Sequence, residues 1–155
     1  MSKIYNIVTH PAESLRKRSE EINIQDIRNP DFLVLFKDMK KTMLKKDGVG
    51  LAAPQIGKNI RLIIVNTYDG PTAMINPIIN KKSWAKVIGE EGCLSVPNTF
   101  GDVSRHKKII YSYIDEKGRN KKLEAKDMEA RIIQHEIDHL DGILFIDKAK
   151  NIKKA

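Results

Sequence analysis

A chain of 155 residues, 41% hydrophobic and 31% charged, has the length and balance of one globular domain spanning residues 1–155. No apolar run approaches a membrane span, and residues 1–5 carry neither an apolar signal core nor a small-residue cleavage site, so the cytoplasm is the expected compartment; a processed organellar chain would look the same. The net charge of +8 favours polyanions such as RNA, but lysines are spread along the chain and only 6% of residues are aromatic.

The densest basic clusters are Lys40-Lys41 with Lys45-Lys46, Lys121-Lys122, and Lys148, Lys150, Lys153 and Lys154. No aromatic residue interleaves with them, so no base-stacking platform is expected, and nothing points to DNA. The opening third reads as helical. Asn29 can cap a start at Pro30, and Phe32, Leu35, Phe36, Met39 and Met43 recur at helical spacing before Gly48, which can close the end. Core packing accounts for that stripe.

The middle reads as sheet. Residues 61–65 are apolar and rich in β-branched side chains, and residues 73–79 form a second run broken by Pro77. Residues 108–114 are rich in Ile and Tyr, and Asp115-Glu116-Lys117-Gly118 then reads as a turn into a partner strand at residues 121–125. The chain has one cysteine, Cys93, and therefore no intrachain disulfide. Its setting, Glu90-Glu91-Gly92-Cys93-Leu94-Ser95-Val96-Pro97, suits a loop or strand end. A lone thiol of this kind is a buried small hydrophobe, a nucleophile or a metal ligand.

Residues 127–141 form the strongest helical segment, with Asp127 able to cap its start and Gly142 to end it. Met128, Ile132, His135 and His139 share one face, while Ile133, Ile137 and Leu140 follow another, with Leu144 beyond the end. A helix apolar on more than one face is buried. The expected class is α+β: a mostly antiparallel sheet wrapped around this central helix, with an additional N-terminal helix.

On that helix, Gln134-His135-Glu136-Ile137-Asp138-His139 sets two imidazoles four residues apart, where both can reach one metal ion. A glutamate follows the first histidine, completing the H-E-x-x-H pattern of metal-assisted hydrolysis. Two packed core histidines and a solvated glutamate are the bland alternative, but these groups beside a buried face are costly to desolvate without a partner. A catalytic metal also needs a third protein ligand. Downstream, Asp141 and Asp147 sit in ordinary helix-end and tail contexts; upstream, Cys93 would give a Cys-His-His set suited to zinc or iron(II).

Three ordered segments resemble those of the peptide deformylases: Gly48-Val49-Gly50-Leu51-Ala52-Ala53-Pro54-Gln55-Ile56-Gly57, Glu91-Gly92-Cys93-Leu94-Ser95-Val96-Pro97, and residues 134–145 from Gln134 to Phe145. Residues 7–16 are also similar to the family, so the resemblance covers nearly the whole chain. It implies that Cys93, His135 and His139 bind the metal and that Glu136 is general base and then general acid. Gln55 and the Leu94 N–H would stabilise the developing oxyanion, and Gly50 would let a substrate backbone lie alongside. The implied reaction is attack of metal-bound hydroxide on the formyl carbon of an N-formylmethionyl peptide, releasing formate. The methionine pocket is expected at Met128 and Ile132, and Leu94, Gln55 and the metal are expected to leave no room for a longer acyl group. The implied metal is iron(II), with zinc, nickel or cobalt as substitutes. Family members that dock on the ribosome tend to carry a longer C-terminal helix; residues 146–155 here offer four lysines for contact with ribosomal RNA. The competing readings are an H-E-x-x-H metallopeptidase, whose third ligand normally lies downstream, and a closed structural zinc site in an RNA-binding protein.

Overall fold

The computed structural model describes residues 3–155. Helix α1 spans Pro30–Lys45 and α2 spans Asp127–Leu140. Strands β1 (Gly50–Ala52), β2 (Leu62–Thr67), β3 (Gly70–Lys82), β6 (Lys108–Ile114) and β7 (Asn120–Lys126) form one sheet in the order β1-β2-β3-β6-β7. A second sheet, in the order β4-β5-β8, combines Lys86–Cys93, Val96–His106 and Lys150–Lys154. All pairings between these strands are antiparallel. The class is α+β as expected, but the sheet is split in two.

Alternation along β2 explains how the larger sheet is buried. Leu62 and Ile64 join Phe36, Met39 and Met43 of α1 in one core cluster. Ile63 and Val65 point the other way, into a cluster with Ala130, Ile133, Ile137 and Leu140 of α2. A strand with helices on both faces has no polar face, which is why residues 61–65 read as an unbroken apolar run. Beneath the smaller sheet, Val96, Val103, Leu144 and Phe145 form a third cluster. Leu144 is thus buried beyond the helix end.

The ends of α1 follow from local chemistry. The Asn29 side chain accepts from the Asp31 N–H at 3.0 Å, with Pro30 in the first turn. At the other end the left-handed residue is Asp47 (φ 57°), not Gly48. Gly48 instead donates its N–H to Met43 O at 2.9 Å, and Asp47 donates to Leu44 O at 3.2 Å, a Schellman closure displaced by one residue from the glycine. The close of α2 is the same motif with glycine in its usual position. Gly142 (φ 75°) donates to His139 O and Ile143 to Asp138 O. A Cβ on Gly142 would lie 2.3 Å from Arg16 O, so packing as well as φ requires glycine. Asp127 makes no side-chain cap; the capping position belongs to Lys126 and Asp127 is already the first helical residue.

Pro77 is accommodated at a bulge. The β3–β6 register shifts between Ile75 and Ile78, and Asn76 takes φ 49° there. Residues 146–155 are not a loose tail, since β8 pairs with β5 through Thr99–Lys154, Phe100–Lys153 and Asp102–Lys150.

Candidate metal centre

The structure brings Cys93, His135 and His139 together although the cysteine lies 42 positions before the first histidine. Cys93 ends β4, at the tip of the β4–β5 hairpin, and the buried histidines project from the C-terminal half of α2, His139 from its last turn. One ligand atom from each lies within 4.8 Å of the other two. Cys93 Sγ and His139 Nε2 are 3.3 Å apart, close to the roughly 3.5 Å between a sulfur and a nitrogen on one tetrahedral centre. Burial pushes the His139 pKa well below its ordinary value, favouring the neutral imidazole that a metal needs. The donor set and the spacing fit a divalent metal. The downstream acids do not join it: Asp141 pairs with Arg61 at 3.0 Å, and Asp147 pairs with Arg16.

A buried ion network aims His135. Its Nδ1–H donates to Glu91 Oε1 at 2.8 Å, which leaves Nε2 for the metal. Glu91 also accepts from Arg105 Nε and Nη2, each at 2.9 Å, and from Arg131 Nη1 at 2.6 Å. Burial works against the Glu91 anion, but its hydrogen bonds from Arg105 and His135 overcome that cost and hold its carboxyl well below the usual range. Arg131 reaches further, donating to Val103 O at 2.9 Å and Val87 O at 2.7 Å, so it clamps the β4–β5 hairpin onto α2. Phe145 stacks behind His135 with ring centroids 6.2 Å apart. The sequence reading gave Glu91, Arg105 and Arg131 no role. The available signal was Arg131 four residues before His135, on the same helical face, with a carboxylate two residues before Cys93.

Glu136 is buried at the wall of the cleft, and its Oε1 has no hydrogen-bond partner among the described residues. Burial pushes its pKa up to about 7, against the pull of His135. A metal cation at the three ligands would add to that pull. A Cβ on Gly50 would lie 2.5 Å from Glu136 Oε2, so the missing side chain at Gly50 first makes room for this carboxylate. Gln55 is fixed at both ends of its amide. Oε1 accepts from the Ala52 N–H at 2.9 Å, while Nε2 faces Ser95 Oγ at 3.1 Å and Cys93 Sγ at 3.5 Å. The N-terminal segment braces the same region, with Val8 N–H donating to Gln55 O and His10 N–H to Ser95 O. Leu94 occupies the turn between β4 and β5.

These groups open onto a cleft of about 490 Å³ lined by Gly50, Gln55, Cys93, Leu94, Met128, Arg131, Ile132, His135 and Glu136, among others. Met128 is 63% exposed, so it walls the mouth of the cleft rather than the core; Ile132 is half-buried beside it.

A cysteine sulfur and two imidazoles beside a buried glutamate form a group that could hold a divalent metal, an arrangement found in metal-dependent hydrolases. The family model for polypeptide deformylase matches residues 4–155, and the chain belongs to that family. It is 44% identical over 151 residues to the peptide deformylase of Pelotomaculum thermopropionicum, covering 97% of this chain and 95% of that one. For the Syntrophomonas wolfei peptide deformylase the identity is 43%, over 94% and 93% of the two chains. Among solved structures, Thermotoga maritima peptide deformylase superposes with a TM-score of 0.90 at 36% identity, covering 96% of this chain and 99% of that one. The actinonin-bound class I type b enzyme of Acinetobacter baumannii gives 0.91 at 34%, over 96% and 100%.

Proposed function

We propose that residues 1–155 act as one catalytic domain in which Cys93, His135 and His139 hold a divalent metal and Glu136 carries the proton. The reaction is that of the family: removal of the N-terminal formyl group from formylated nascent peptides, with release of formate, as a step of protein biosynthesis. The observation that carries the assignment of residues is the convergence of the three ligand atoms beside a buried carboxylate.

Bound there, the metal supplies Lewis acidity that makes water a nucleophile near neutral pH. Glu136 Oε1 takes the proton of the attacking water and returns it to the leaving amine, a role supported by its buried place in the cleft wall with no other hydrogen-bond partner among the described residues. Gln55 Nε2, held by the anchoring of Oε1, donates to the developing oxyanion, and the Leu94 N–H is the second donor. β1 is the terminal strand of its sheet, so its unpaired edge at Gly50 is open to a substrate backbone. Met128 and Ile132 receive the methionine side chain, supported by their position in the cleft wall. An acetylated peptide should turn over poorly, because Leu94 and Gln55 flank the reacting carbon; a similar rate for acetyl and formyl substrates would sink that part.

Iron(II) is the proposed native metal, with zinc, nickel or cobalt as substitutes, all compatible with thiolate and imidazole donors. No helix among the described residues is long and apolar enough to cross a membrane, and the cytoplasm is the proposed compartment. The ribosome is a proposed partner through the lysines of residues 146–155, where β8 is exposed along its length. Unchanged co-sedimentation after removal of residues 151–155 counts against a role for that strand.

The deciding experiment is formate release from a formyl-Met tripeptide, using protein purified without oxygen and loaded with iron(II), beside Glu136→Ala. Release by the parent and its loss in the variant supports both reaction and residue. Cleavage of an unformylated peptide instead would return the metallopeptidase reading. Chelation should abolish release while the far-UV circular dichroism persists; unfolding on chelation would favour a structural metal.

A further inference from the structure

Trp84 is the only tryptophan of the chain and is 99% exposed. An indole can bury 150–250 Å², so a fully solvated one adds nothing to the core. Its loop is nonetheless pinned on both sides. Ser83 N–H donates to Lys108 O at 2.9 Å, Lys108 N–H to Ser83 Oγ at 3.0 Å, and Lys107 N–H to Ala85 O at 3.0 Å. Ser83 O accepts from His106 Nδ1–H at 2.8 Å, and Ser83 Oγ donates to Ala85 O at 2.8 Å. The ring is presented to solvent from a fixed base.

The same bonds set the 81–86 stretch, with three lysines of its own, beside Lys107 and Lys108, and strand pairing adds Lys126. Lys81 and Lys82 end β3, Lys86 begins β4, Lys107 and Lys108 join β5 to β6, and Lys126 ends β7. All six are exposed. Lys108 and Lys126 are direct cross-strand partners, an arrangement that costs folding energy. Among the described residues only Lys108 of the six has a carboxylate within ion-pair distance, Glu124 at 3.5 Å. The fold therefore places six lysine positions on strand ends next to the loop that exposes an aromatic ring, and neither the ring nor the lysines improve packing. None of the basic clusters visible along the sequence contains this group, because it is assembled from separate segments.

We propose that this corner binds single-stranded RNA, with Trp84 stacking on one unpaired base and the neighbouring lysines meeting the flanking phosphates. A duplex fits less well, since its bases already cover one another and leave no face for the indole. An anionic membrane also attracts lysine and tryptophan, but it needs a continuous apolar face. Here Trp84 stands between Ser83 and Ala85, and the next apolar side chains, Val87 and Ile88, alternate across β4.

Because Trp84 is the sole tryptophan, its fluorescence reports directly on the contact. Titration with a short single-stranded RNA at about 50 mM salt should quench it, with affinity falling steeply toward about 200 mM. By anisotropy of labelled RNA, Trp84→Ala should weaken binding about tenfold or more. Lys86→Glu with Lys107→Glu should weaken it at least as much and flatten the salt dependence. Lys45→Glu with Lys46→Glu, an equal change of net charge at the end of α1, should leave affinity within about twofold. Far-UV circular dichroism checks the fold of each variant. The proposal is overturned by absence of quenching and binding, by parent-like affinity of Trp84→Ala, or by equal loss from both lysine pairs. It is also overturned if phosphatidylserine vesicles shift the Trp84 emission and RNA does not.

Discussion

The two helices flank the same sheet and bury comparable lengths, but with opposite chemistry. The buried positions of α1 are Leu35, Phe36, Met39 and Met43, plus Asp38 and Thr42, which receive the Lys3 and Tyr5 N–H groups. The buried positions of α2 include Arg131, Gln134, His135, Glu136 and His139. A helix such as α1 is held by transfer of apolar surface from water. A helix such as α2 carries polar groups into the same environment and is stable only where each finds a partner. Gln134 does so through the His106 N–H and O, and Arg131 through Glu91 and two carbonyls. The exceptions are Glu136 Oε1 and His139 Nδ1, which lack partners among the described residues. The groups left uncompensated lie at the proposed metal centre, whereas the buried positions of α1 pack into the core.

That contrast can be broken at graded strength. Glu136→Gln should lower kcat for deformylation about 10²–10⁴-fold, with metal stoichiometry and melting temperature close to the parent. Glu91→Ala removes the anion shared by Arg105, Arg131 and His135. It should cost about 3–5 kcal/mol in denaturant unfolding and weaken metal binding about 10–100-fold; a variant that keeps parental metal affinity would show that His135 needs no such anchor. Phe36→Ala, in α1, should also cost about 3–5 kcal/mol, yet leave kcat per folded molecule unchanged. Gly50→Ala should displace the Glu136 carboxylate, lowering kcat about 10–100-fold with little change in unfolding. The mildest change, Asn29→Ala, should remove the α1 cap for about 1 kcal/mol and leave kinetics untouched. An α1 variant that altered kcat, or a Glu136 variant that merely unfolded the protein, would erase the distinction between the helices.

Legibility in the sequence followed the same division. The stripe of α1, the double-faced run of β2, the β6–β7 hairpin and α2 were readable because each repeats at its own period or sits beside a turn signal. β4 and β5 were not: Gly89, Gly92 and Gly101 interrupt them, and Glu90-Glu91 puts charge where an apolar alternation would be sought. They are strands because they pair with each other from Lys86–His106 to Gly92–Phe100. β8 was read as a tail because Lys150, Lys153 and Lys154 dominate it, and its strand state depends on the edge of β5. Within the site, the two histidines and the Glu136 position were legible from spacing along one helix, and Cys93 from its place in a segment that resembles the family's. The orienting role of Glu91 was not, because its partners Arg105 and Arg131 are 14 and 40 residues away.

By itself, the sequence determined the α+β class, the helical spacing of His135, Glu136 and His139, and the donor types available to a metal. The helical spacing depends on neighbours three or four residues apart, where helix geometry alone sets the distance, and the class and donor types follow from local patterns and residue identity. Only the tertiary structure decided that Cys93 meets the histidines, that Glu91 anchors His135 between two arginines, and that Lys107, Lys108 and Lys126 lie on strand ends next to the loop of Trp84. Contacts between distant segments depend on strand register and on which faces pack together, and a shift of one residue in register would reverse them.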